Sequence, residues 1–261
     1  IPVEGYEIKI TRKKKSSLDV CDFDVVLEKS FENHDHDMDY LHRHGHHHHD
    51  RDHHDHSHTH YHVHRGMAEV RKIIAGTDIS ESAKRLANQI FEILGEAEAK
   101  AHGTTLEEVH FHEVGAVDSI VDIIAAAFCV DSLNIDDVII TELAEGEGTI
   151  RCQHGILPIP VPAVANITAE HCLKLRMIHC SGELVTPTGA AIAAAIRTQD
   201  ELPKEFQIKR IGLGGGKREY DCPGFVRAML VEAKHLPQDD AVIVLESNID
   251  DCSGEALGYV M

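Results

Sequence analysis

The chain reads as an α/β or α+β domain of mixed layers carrying a long disordered His-rich insertion. Segments with helical spacing of apolar residues are interspersed with short alternating segments, the pattern of packed helix and sheet layers. Its 261 residues are 43% hydrophobic, enough for one large core or two smaller ones. One internal tract, 34–64, is too polar to join any core. No internal repeat is visible.

The elements follow in order. Residues 6–12 (YEIKITR) and 20–27 (VCDFDVVL) alternate as strands and suggest a hairpin. Order returns near Met67, with a short helix at 67–75 ended by Gly76 and a second at 79–94 capped by Asp78 or Thr77. That second helix is expected to bury Ala83, Leu86, Ile90 and Leu94. After Gly103, Thr104 or Thr105 should cap a short turn, and 117–130 (VDSIVDIIAAAFCV) should form a buried helix. Residues 137–143 read as a strand followed by a turn-rich EGEG. Pro158, Pro160 and Pro162 stiffen the next stretch before a helix from Ala163 to Thr168. A helix at 186–197 has Thr186 as its cap and Pro187 in its first turn. Strands are expected at 207–212, 225–232 and 241–246. The organisation expected is N-terminal strands at 1–33, the insertion at 34–66, a main domain at 67–238 and the start of a further domain at 239–261.

The insertion holds fifteen of the 22 histidines, mixed with aspartates. Imidazole suits nickel, zinc and copper, and a nearby carboxylate adds charge and an acceptor. His46, His47, His48, His49, His53, His54, His56, His58 and His60 are therefore candidate metal ligands. An expression tag or a solvated polar loop would be the bland alternatives, but a tag would be terminal and uniform. Protonation below about pH 6 should release metal from such a tract.

The formal charge is −19, from 44 acidic and 25 basic residues. That balance argues against binding a phosphate backbone, so no nucleic-acid partner is expected. No apolar run reaches the roughly 18–20 residues that span a bilayer, which argues against a membrane transporter. Seven cysteines, an odd number without a CxxC pair, make a disulfide framework unexpected and the cytoplasm the expected setting. Both ends look cut from something longer, since the chain opens on Ile1 and closes on LESNIDDCSGEALGYVM.

Four constellations carry chemical potential. His110-Phe-His112-Glu113 precedes Asp118 and Asp122, which share one face of a helix at a spacing of four. Imidazoles meeting carboxylates there suit a divalent cation or acid/base work; carboxylates are also favoured at any helix start. Cys152 and His154 pair a soft with a borderline ligand, or are a buried thiol beside a loop histidine. In GELVTPTG, Thr186 and Thr188 could help hold a phosphate or carboxylate, or simply cap the helix. Finally, Gly214, Gly215 and Lys217 belong to a glycine-rich stretch that could cradle an anion or merely turn between strands. It is not a P-loop, because no Ser or Thr follows Lys217 in the required pattern, which counts against a nickel GTPase.

Taken together, HFHEVGAVDSIVDI, CQHGILPIPVPA, GELVTPTGAAI and IGLGGGKREY resemble the nickel-insertion (LarC-type) family. The His-rich insertion after the first strands resembles that family as well, and the likeness runs through nearly the whole chain. It implies a chelatase that inserts nickel into pyridinium-3,5-bisthiocarboxylic acid mononucleotide, forming carbon–nickel and sulfur–nickel bonds for the pincer cofactor of lactate racemase. CTP is consumed, assisted by manganese or magnesium, in a C-terminal half that this chain lacks. The partners implied are the pincer nucleotide precursor, apo lactate racemase, the C-terminal half and further copies in a homo-oligomer. By position in the motifs, His110, His112, Glu113 and Asp118 form the expected ordered metal or acid/base group, Asp122 is a further metal ligand, and Cys152 with His154 is a second candidate metal pair. Two departures stand out: the family's Asp/Ser/Gly-rich opening is missing before Ile1, and the loop at 212–216 is richer in glycine than expected. In some relatives the halves lie in different reading frames. A nickel or zinc storage protein is the alternative.

Overall fold

A computed structural model describes residues 1–28, 65–109, 117–152, 154–233 and, as backbone, 241–247. The His/Asp tract, His110, His112, Glu113 and the segment after Ser247 lie outside the described residues.

The fold is a mixed α/β layering, as the periodicities predict. Strands β1 (Tyr6–Lys15) and β2 (Leu18–Leu27) form the expected hairpin, each longer than anticipated. Its two-residue turn, Ser16-Ser17, holds both residues in the left-handed region, at φ 45° and 67°. That geometry matches the twist of the strands but is usually signalled by Asn or Gly, so the turn is silent in sequence.

Helix α1 (Met67–Ala75) keeps its expected bounds. Helix α2 runs from Glu81 to His102, two turns beyond expectation. Its cap is Ser80, whose hydroxyl accepts from the Ala83 amide at 3.0 Å, and neither Thr77 nor Asp78 serves. The alanine-rich GEAEAKAH continues the helix despite Gly95, until Gly103 ends it in the left-handed conformation. Helix α3 (Val117–Leu133) follows. Strand β3 is only Asp137–Ile139, and β4 (Leu143–Glu147) occupies the stretch read as turn-rich. Gly146 can sit in that strand because the chain at 180–182 crowds it: a Cβ would lie 2.0 Å from the Gly182 carbonyl oxygen.

The hairpin β5 (Thr149–Cys152) and β6 (Gly155–Pro158), and β7 (Leu175–Ser181), were not anticipated. Helices α4 (Pro162–Glu170) and α5 (Pro187–Ile196) flank β7. Strands β8 (Phe206–Gly215), β9 (Phe225–Ala233) and β10 (Ala241–Ser247) complete the order.

The six-stranded sheet has the order β1-β2-β8-β9-β10-β3, with β2–β8 and β10–β3 parallel. The main core lies among the helices, where Ile90, Phe91, Leu94, Ile120, Ile124 and Ile167 are buried. Each such side chain contributes about 1.5–3 kcal/mol on leaving water. A smaller cluster seats α3 on the first hairpin: Val117 and Val121 pack against Val25. That contact decides where the α3 carboxylates go. Among the described residues, no helix is long and apolar enough to cross a membrane.

One expectation about cysteine is corrected. Cys180 on β7 and Cys222 after β8 are joined as a disulfide, both buried, whereas the sequence predicts free thiols. Chain folding brings together two cysteines 42 residues apart, which spacing alone cannot reveal.

Candidate functional site

The first turns of α3 carry Asp118 and Asp122 on one face. Seating of α3 on β2 sets this face near Asp24, and the turn after β8 adds Lys217. The Lys217 ammonium lies 2.5 Å from Asp24 Oδ1. Three carboxylates and one ammonium thus share a small region. Burial pushes the Asp122 carboxyl up to about 6, with the Asp118 charge adding to the rise. Lys217 opposes that rise and Asp24 reinforces it. Asp122 nonetheless keeps contact with solvent, so its proton can exchange. The excess of negative charge suits a cation, while Lys217, two-thirds exposed, can meet an anionic group. Among the described residues no three donors converge as a preformed metal site.

Lys217 is held in place from below. Lys15, almost fully buried, donates to the Gly216 carbonyl at 2.7 Å and to the Arg218 carbonyl. Burial holds its pKa below the usual lysine range, the carboxylate of Glu219 opposing. The adjacent Arg218 turns the other way and donates to Glu183 Oε2 at 2.9 Å. Tyr220 donates its hydroxyl to the Glu183 carbonyl at 2.6 Å, its ring lying against Gly182.

Beside this pair sits Glu145, fully buried on β4. Its Oε1 accepts from the amides of Gly146 and Leu184 at 2.8 Å and of Val185 at 3.3 Å. Its Oε2 is buried and has no hydrogen-bond partner among the described residues. Burial raises its pKa against the three amides, which pull the other way. The amides of GELVTPTG at 184 and 185 therefore serve an internal carboxylate.

Where the other sequence-predicted residues fall is equally specific. Thr186 accepts from the Gly189 amide at 3.1 Å and caps α5, with Thr188 in the first turn. Gly214 and Gly215 are not in a turn but in β8, paired with Val226 and Phe225. Glycine is needed at 215 because a Cβ there would lie 2.7 Å from the Val20 side chain. Cys152 ends β5 as a half-buried thiol outside the disulfide. His154, in the β5–β6 turn, meets His102 ring to ring. The structure thus brings Asp118, Asp122 and Lys217 together and keeps Thr186 and Thr188 with α5. Asp24, Glu145 and His102 were missed.

All 261 residues, 1–261, match the family described as nickel insertion protein. The chain belongs to the nickel insertion protein family. Among curated relatives, it is 47% identical to the pyridinium-3,5-bisthiocarboxylic acid mononucleotide nickel insertion protein of Alkaliphilus metalliredigens, over 99% of this chain and 62% of that protein. It is 36% identical to the protein of the same name from Acetivibrio thermocellus, over 99% of this chain and 58% of the relative. The Clostridium acetobutylicum protein of that name is 40% identical over 74% of this chain and 46% of its own length. The chain therefore spans about three-fifths of the first two relatives. No solved structure matches it. In this chain Asp118, Asp122 and Lys217 bring the segments 117–123 and 211–220 to one place.

Proposed function

We propose that this chain is the N-terminal part of an enzyme that inserts nickel into pyridinium-3,5-bisthiocarboxylic acid mononucleotide, maturing the pincer cofactor of lactate racemase. The observation that carries the reading is the match of the family to every residue from 1 to 261. CTP dependence, with manganese or magnesium, belongs to the part of the protein beyond this chain. Apo lactate racemase is the recipient of the product.

The chemistry asks for two kinds of group. A carbon–nickel bond at a ring carbon replaces a C–H bond, so a proton must leave as the metal enters. Asp122 takes that proton: its carboxyl, raised to about 6, is deprotonated at neutral pH yet basic enough to accept it. Asp118 and Asp24 supply negative charge that attracts the incoming nickel and the pyridinium ring. Lys217 meets the nucleotide's phosphate. His110, His112 and Glu113, joined to α3 by a few residues, deliver nickel as substrate to this place, and the tract at 34–64 collects it.

The test is reconstitution. The protein extended to its natural C-terminus is mixed with nickel, CTP and unmetallated precursor, and the activity of added apo lactate racemase is read. CTP-dependent activation supports the chelatase. Tight nickel binding without activation would replace it with storage.

A further inference from the structure

We propose that His102 and His154 together form an open, two-imidazole holding site for a divalent transition-metal ion. The identity of that ion as nickel rests on the function proposed above; the site itself rests on geometry. His102 is the last residue of α2 and His154 stands in the turn between β5 and β6. Their ring centroids lie 4.8 Å apart with the planes inclined by 63°. Two imidazoles this close can each turn a nitrogen toward one ion, which they bind at about 2.0–2.1 Å.

Two surrounding features favour a cation. His102 ends α2, where the negative pole of the helix dipole favours a cation. Glu98, one turn earlier, places Oε2 3.7 Å from His102 Nε2, so a carboxylate stands beside the pair and adds negative charge. Both histidines reach solvent, so burial is not what brings the rings together. Gly103 ends the helix at φ 67°, and Gly155 follows His154 at φ 97°. An edge-to-face ring pair with no ligand is the plain alternative, and the test below separates the two.

Among the described residues no third ligand completes a cluster. An ion held by two neutral imidazoles exchanges readily, which is what a hand-off requires and what a structural site would avoid. Connectivity gives the site its direction. The chain leaves His102, passes through residues 103–116, and enters α3 one residue before Asp118. An ion released here is one connection from the carboxylates proposed to receive it.

The experiment uses the whole chain and reads the thermal unfolding midpoint with and without Ni²⁺. A bound ion ties the end of α2 to the β5–β6 turn and stabilises the native state by mass action. Wild type should shift upward by several degrees at saturating Ni²⁺ and not with Mg²⁺, which prefers oxygen ligands. His102→Gln and His154→Gln should each lose at least half of that shift. His179→Gln, nearly fully exposed elsewhere, should keep it. Midpoints without metal confirm that each variant folds. Equal shifts in all four proteins, or none in wild type, would overturn the site. Because the readout is stabilisation, a protein that binds here and fails to activate lactate racemase would overturn the proposed function and leave this site standing.

Discussion

Glu145 and Asp122 are both carboxyls raised above their ordinary range, yet the protein treats them oppositely. Glu145 is sealed, gripped by three backbone amides and flanked by the Glu183–Arg218–Tyr220 network. Asp122 stands among like charges, with Lys217 nearby and its side chain exposed to solvent. The first arrangement fixes β4 to the segment leading into α5; the second, among the described residues, sets three carboxylates beside one ammonium. A raised carboxyl alone therefore does not mark a working site. What distinguishes the two is access.

The largest effect should come from breaking the sealed region. Glu145→Ala strands three amides and should cost about 3 kcal/mol or more in urea unfolding, because buried unsatisfied donors lose about 1–3 kcal/mol each. Glu145→Gln, which keeps an acceptor and carries no charge, should cost far less. A similar loss in both would mean the carboxyl is ionised and needed as a charge. Next is Lys15→Met, which removes two charged hydrogen bonds beneath Lys217 and should cost about 2 kcal/mol. A neutral outcome would show that the 216–218 turn holds itself.

The open region should respond through pH. The Asp122 carboxyl titrates near 6 in the folded protein against 3.8 when unperturbed. Between those values the folded state binds the extra proton, so this residue's stabilising contribution fades as pH rises from about 4 to 6. Asp122→Asn should flatten that decline and leave the protein more stable than wild type at pH 7. A variant less stable at pH 7 would contradict the assigned surroundings. Smallest should be Lys217→Met. Loss of the ammonium should move the Asp122 midpoint further upward in a carboxyl ¹³C titration, and an unmoved midpoint would separate the two residues.

How much of this is legible in the sequence depends on the range of the cause. Helices α1, α3 and α5 and strands β9 and β10 are readable because apolar spacing and caps are local. The β5–β6 hairpin is not, since TIRC and GILP are short and interrupted by Gln153-His154 rather than a turn dipeptide. Gly146 misled the reading of EGEG because only tertiary crowding explains a glycine in that strand. In the site, Asp118 and Asp122 announce themselves at a spacing of four. Asp24 does not, because an aspartate in an alternating strand looks like an exposed position until α3 is seated on Val25. His102 and His154 are 52 positions apart, and only the extra turns of α2 bring them together.

The most direct test of the central claim places Asp118→Asn and Asp122→Asn in the protein extended to its natural C-terminus and measures CTP-dependent activation of apo lactate racemase. The account predicts activation lower by about 100-fold or more in Asp122→Asn, the scale of a lost general base, with folding intact. Activation at the wild-type level in both variants would contradict it and move the insertion chemistry away from this carboxylate cluster.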